Sequence, residues 1–125
     1  MLGNKTVMAT VAVKDAEAAR KFYEQTLGLE IVGREQPGVF AFKCGGSEVL
    51  VYESEFAGSN KATAATWNLG KDIEKEVTAL VDKGVRFERY DMPELELKGD
   101  VYCGHGMKVA WFKDPDGNIH ALTGT

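Results

Sequence analysis

Residues 10–29 read TVAVKDAEAARKFYEQTLGL, and this stretch decides the fold. It begins as a strand, with the β-branched residues Thr10, Val11 and Val13. Asp15 then offers a carboxylate to the free N–H groups of a following helix, and Glu17 suits the positive helix end. Ala19, Phe22, Tyr23 and Leu27 recur at helical spacing, and Gly28 provides the left-handed stop. Residues 72–84 repeat the design: Asp72 caps, Ile73, Val77, Leu80 and Val81 form the apolar stripe, and Gly84 ends it. Each helix has one apolar and one charged face, so each is expected to lie on a sheet with its other side in water.

Strand-like segments surround the two helices. They are Thr6–Val13, Leu29–Arg34, Val39–Lys43 and Glu48–Glu53 in the first half, and Ala64–Leu69, Val85–Tyr90, Met107–Lys113 and Ile119–Thr123 in the second. Gly45–Gly46 suits a two-residue hairpin turn, and Asp114–Pro115–Asp116–Gly117–Asn118 is a strong turn signal. The string is β-α-β-β-β twice, with a strand of the second half left unplaced. Internal duplication of one supersecondary unit explains it. The modules span about 6–53 and 64–123, joined by the polar linker 54–63. Asp91–Gly106 is a long connection where the first half has only Glu35–Gly38; it is either functional or a surface excursion that hides the missing strand.

Composition bounds the partners. At 125 residues and 44% hydrophobic content the chain is one folded domain, not a disordered or low-complexity segment. A net charge of −4 without a basic run gives no reason to expect nucleic acid or an anionic membrane as partner. Met1–Lys5 has no secretory pattern, and no apolar run approaches a membrane span. Cys44 and Cys103 lie far apart with no C-x-x-C, so both are read as reduced thiols and the chain as cytoplasmic.

Two patches carry a family resemblance. Thr10–Asp15 running into Ala19–Tyr23 and Leu27–Leu29, together with Ala110–Asn118 (AWFKDPDGN), resemble the vicinal oxygen chelate superfamily of glyoxalase I, bleomycin-resistance proteins and extradiol dioxygenases. The resemblance implies an α+β fold of two tandem βαβββ modules. Their strands would form a cupped mixed sheet whose inner face lines a small-molecule pocket, and the protein would be a homodimer. In metal-using members, inner-face side chains hold one divalent ion. The matching positions here are Met8, Ala64 or Ala65 (with Thr66 next), Val51 (with Glu53 two residues on) and Ala121. A thioether and methyl groups are poor ligands for a hard ion, so no metal or other cofactor is expected.

Two functional readings follow. One is a metal-free protein binding a small organic molecule through Met8, Phe40, Tyr52, Thr66, Asn68, His105, Trp111 and Ala121. Phe42, Trp67 and Tyr102 are further candidates, and neither tryptophan can be assigned a face from sequence. The other is a lyase, isomerase or dioxygenase with an atypical or weak divalent-metal site that would draw on Glu53, His120 or His105. His120 alternates with Ala121, so if Ala121 faces the pocket His120 faces the helices. His105 sits between two glycines in a turn.

Overall fold

The computed structural model describes residues 1–33 and 37–125. Strands β1 (Ala9–Val13), β2 (Glu30–Gly33), β3 (Val39–Cys44) and β4 (Ser47–Glu53) form one mixed sheet, in the order β1-β4-β3-β2. Strands β5 (Thr63–Gly70), β6 (Glu96–Lys98), β7 (Val101–Gly104), β8 (Met107–Lys113) and β9 (Ile119–Gly124) form the second, in the order β5-β9-β8-β7-β6. In each sheet the first strand lies parallel to the last, and the remaining pairs are antiparallel. The expected repeat is therefore present, with β6 as an added edge strand.

The first helix is α1 (Ala16–Arg20), and it continues as a π-helical stretch over Lys21–Thr26. Asp15 Oδ1 accepts from Glu17 N and Ala18 N at 3.0 and 3.3 Å, as its position predicts. The second helix, α2 (Ile73–Asp82), starts after Asp72, but no side-chain bond forms there; Asp72 contributes only its carbonyl, to Glu76 N. Gly28 and Gly84 adopt the positive φ expected of helix stops. No helix among the described residues is long and apolar enough to cross a membrane.

One expectation about the strands needs correction. Val85–Tyr90 is not a strand: it makes one isolated bridge, Phe87 to Phe112. Its expected place beside β8 is taken by β7, which turns into β8 through His105–Gly106. The long connection thus holds two strands, and Val101–Gly104 is the missing one. Arg34, the expected end of the second strand, lies outside the described residues, as do Glu35 and Gln36.

Strand alternation sorts side chains onto two faces. Val11, Val13, Phe40, Phe42, Val49 and Val51 turn toward α1 and bury with Ala16, Ala19 and Tyr23. Ala110, Phe112 and Leu122 turn toward α2 and bury with Ile73 and Val77. Phe22, Leu27 and Trp67 pack on both clusters and weld them into one core. Trp67 therefore lies on the helix side. It stacks on Phe112 with 6.4 Å between ring centroids and meets His120 edge-on.

A buried polar cluster crosses between the halves. Asp114 Oδ2 accepts from the Tyr23 hydroxyl at 2.6 Å and from Asn118 Nδ2 at 2.8 Å. Its Oδ1 accepts from the backbone N–H groups of Asp116 and Asn118 at 2.9 and 2.8 Å. Asn118 Nδ2 also donates to the Ala12 carbonyl of β1 at 2.8 Å. Tyr23 spends its single proton on Asp114. Burial first, and then the charge of Asp114, push that phenol far above its ordinary pKa. His120 Nε2, 2.8 Å from the same hydroxyl, must then be the donor, which fixes the tautomer. Nδ1 of this fully buried ring meets no hydrogen-bond partner among the described residues.

This arrangement predicts a pH dependence. Burial lowers the His120 pKa to about 4, against the opposing charge of Asp114. The unfolded imidazole takes its proton near the ordinary value of about 6.5. Between those values the unfolded chain binds the extra proton, so stability falls as pH drops from about 6.5 to about 4. The complete loss is about 3 kcal/mol. Urea unfolding across this range should show the fall, and His120→Gln should lack that component of it; the same slope in both proteins would contradict the assignment.

Candidate functional site

The faces turned away from the helices are the candidate site, and the hairpin register decides who lies there. In β3 and β4, Val39 pairs with Tyr52, Ala41 with Leu50 and Lys43 with Glu48, all on the helix-free face. On β1 the same face carries Thr10 and Ala12, beside Leu50 and Tyr52, and Met8 precedes them in the same alternation. Met8, Val32 and Tyr52 are exposed there at 44%, 48% and 37% of their full surface, which is high for side chains of this size. Two adjoining clefts run along this face. One, of about 460 Å³, lies between Met8, Val32, Lys43 and the Gly45–Gly46 turn. The other, of about 360 Å³, lies over Val39, Ala41 and Leu50. Met8, Val32 and Glu48 line both. The result is an apolar trough with one Lys–Glu pair across its floor.

The second sheet places Thr66 beside Ala121 and Asn68 beside Thr123 across β5 and β9. Thr66 and Asn68 are exposed, and Asn68 Oδ1 is engaged by Gly70 N at 3.2 Å. Trp111 pairs with Ala121, so both share that face. Neither is open, because Tyr102, Val109, Met92 and Leu95 pack around them.

Other candidates lie elsewhere. Phe40 pairs with Val51 and is buried on the helix side, 6.3 Å from the Phe42 ring centroid, so it belongs to the core under α1 and not to the trough. His105 stands in the β7–β8 turn with φ of 54°, exposed, 3.9 Å from Glu94 and away from both clefts. His120 faces the helices, as its alternation with Ala121 predicts. Glu53 is held at a helix start: its Oε2 accepts from Ala16 N at 3.0 Å. Gly38 makes room for that carboxylate, since a Cβ there would fall 2.6 Å from Glu53 Oε1.

The metal positions implied by the resemblance do not assemble a metal centre. Met8 offers a thioether, Thr66 a hydroxyl, and Ala121 a methyl; Val51 lies in the core. Among the described residues no three His, Cys, Asp or Glu side chains come together to hold an ion. This donor set does not fit a hard divalent cation. The two cysteines are free and half-buried. Burial pushes the Cys44 thiol up, against a hydrogen bond from Trp67, so nothing activates it as a nucleophile.

Comparison with known proteins gives a consistent result. A family model described as Glyoxalase/Bleomycin resistance protein/Dioxygenase superfamily matches residues 5–122. Among curated proteins none matches. Several solved structures share the fold. A member of the glyoxalase/bleomycin resistance protein/dioxygenase superfamily from Sphaerobacter thermophilus is 25% identical, with a TM-score of 0.69 and 100% of each chain covered. Lactoylglutathione lyase from Agrobacterium tumefaciens is 17% identical, with a TM-score of 0.71, 98% of this chain and 95% of that one being covered. The fosfomycin resistance protein FosX from Mesorhizobium loti is 14% identical, with a TM-score of 0.69 and coverage of 100% and 94%.

The placement of Glu53 yields a direct test. Glu53→Ala removes an acceptor and a negative charge from the first turn of α1, and should lower stability by about 1 kcal/mol. Urea unfolding measures it; an unchanged midpoint would show that Ala16 N does not depend on this carboxylate.

Proposed function

Given that the chain belongs to the glyoxalase/bleomycin resistance protein/dioxygenase superfamily, we propose that it binds a small organic molecule, without a metal ion, in the trough on the first sheet. The observation that carries this reading is the open apolar face from Met8 to Tyr52 with its adjoining clefts. Their volumes are in the usual range for small-molecule sites, and such sites bind by apolar contact plus a few placed polar groups. Met8, Val39, Ala41 and Leu50 supply the apolar contact. Lys43, Glu48 and the Tyr52 hydroxyl supply orientation, with Thr66 and Asn68 as further polar groups on the neighbouring sheet. Thioether and aliphatic walls suit a flat or branched apolar body, and the paired charges suit a polar substituent at one end. Binding rather than turnover is the favoured reading because the polar side chains lining the clefts among the described residues, Thr6, Lys43, Ser47 and Glu48, are all exposed, with no buried base set against a nucleophile. Two free thiols agree with a protein that works in the cytoplasm.

Ligand binding is testable with the dye 8-anilinonaphthalene-1-sulfonate as probe. Leu50→Arg places a long charged side chain across the trough and should weaken probe binding at least about tenfold, which is 1.4 kcal/mol. Addition of Ni²⁺, Mn²⁺ or Zn²⁺ should leave the thermal midpoint unchanged. A metal-induced rise that Glu53→Ala abolishes would instead favour the lyase, isomerase or dioxygenase reading.

We also propose that the protein is a homodimer. Beyond the resemblance, the support is the exposure of Met8 and Val32 in the trough and of Val7 next to Met8 in the chain, apolar surface of the kind a second copy covers. Light scattering at micromolar concentration should give twice the chain mass; a monomer mass would refute it.

A further inference from the structure

A separate cavity lies on the helix side of the sheets and shares no lining residue with the trough. It sits at the seam between the two halves and measures about 120 Å³. Leu27 and Leu29, either side of the positive-φ turn at Gly28, line it from the first half. From the second half α2 contributes Leu80 and Glu76, and β5 contributes Trp67 and Leu69. Phe112 and Leu122 are its buried members. The helix stripe explains why space remains there. Ile73 and Val77 of α2 are buried on the second sheet, whereas Leu80, next along the same stripe, is only half-buried. Leu27, Leu29, Trp67 and Leu69 are likewise half-buried, so five large apolar side chains border one unfilled space. Lys83 Nζ donates to the Gln25 carbonyl at 3.2 Å and ties the end of α2 to the first helix across the seam.

Glu76 is exposed, and it is the one charged side chain lining the cavity among the described residues. No salt bridge among the described residues engages its carboxylate. We propose that this seam is a second binding site, for a small organic ammonium ion made of one aromatic ring and a protonated amine. The ring lies among the leucines, beside Trp67 and Phe112, and the ammonium group meets Glu76 at the solvent side. Size selects the ring: an apolar cavity of about 150 Å³ holds one benzene molecule, so a space of this volume admits a single ring and no more. Charge selects the amine: a lone carboxylate at the rim attracts a cation and repels an anion. Water in such a space finds few polar partners, so its release favours the ligand. Nothing in the fold has to move for the site to be filled. It lies across the sheets from the trough and stands or falls independently of the function proposed for that face.

Benzylamine, protonated at neutral pH, is the probe, and benzyl alcohol is its neutral match. Titration of the isotope-labelled full chain, followed by nuclear magnetic resonance, should give saturable shifts at the Trp67 indole N–H and at the amides of Leu27, Leu69 and Leu80. The amides of Met8 and Tyr52 in the trough should not move. Glu76→Gln should weaken benzylamine about fourfold, the scale of an exposed ion pair, and leave benzyl alcohol unchanged. Leu80→Trp fills the space and should abolish binding of both, while Leu50→Arg, which obstructs the trough, should alter neither. Shifts confined to the trough, or no saturable shift, overturn the site. Equal affinity of benzylamine for the wild-type protein and Glu76→Gln overturns the ammonium assignment, and this exposed substitution decides it should Leu80→Trp fail to fold. Loss of dye binding to the trough without loss of benzylamine binding supports the separation of the two sites; loss of both in Leu50→Arg overturns it.

Discussion

The Asp114 carboxylate is the constraint on which the rest of the structure depends. It receives two bonds from its own turn, one from Asn118 and one from Tyr23 of the other half. Asn118 passes the connection on to the Ala12 carbonyl, so the last turn grips both the first strand and the first helix. A group desolvated this thoroughly is tolerable only when every acceptor site is used, and here four donors use them. The π-helical winding of Lys21–Thr26 belongs to the same arrangement. The bond from Leu27 N to Phe22 O reaches back five residues and places Phe22 and Tyr23 together at the junction.

With the helix sides joined in this way, the opposite faces are set by alternation alone. The core takes Val11, Phe42, Val51, Phe112 and Leu122, and what is left over forms the helix-free faces. That division explains why, among the described residues, a fold associated with metal ions holds no assembled donor set here. Glu53 and His120 are on the helix sides, each already hydrogen-bonded in service of the fold. Neither can turn to the helix-free face without a one-residue register slip that would expose its whole strand's apolar set.

Much of this was legible in the sequence, and the misses have physical reasons. The Asp15 cap, the two helix-ending glycines and the Gly45–Gly46 hairpin depend on neighbours in the chain, and they hold. Phe40 was misplaced although the signal existed. A two-residue turn at Gly45–Gly46 pairs Cys44 with Ser47 and hence Phe40 with Val51, so Phe40 and Tyr52 must lie on opposite faces. Asp114 and Asn118 read as turn residues and Tyr23 as part of an apolar stripe. Their joint role rests on contacts across about ninety to a hundred residues of chain, which no local pattern encodes. The strand over 101–104 was hidden by the polar run before it, because β6 is an exposed edge with no buried alternation to betray it.

The strand that failed to form over 85–90 and the covering of the second sheet have one cause. β8 has a single edge not taken by β9, and two segments share it. β7 pairs with its first half, Met107 to Val109. Phe87 and Glu88 take the second half, through the bridge to Phe112 and the bond from Glu88 N to Trp111 O at 2.7 Å. Because that edge is split, the chain passes through the sheet's border at this point. Phe87 packs on the helix side, whereas Tyr90, three residues later, packs on Trp111 on the other face. In the first sheet β2 alone lines β3, and the described residues offer no second segment beside it. A chain that crosses its own sheet must lie on the far face before it can return as β6. The covered helix-free face is therefore a direct consequence of strand pairing, and the open one is where that pairing leaves no such crossing.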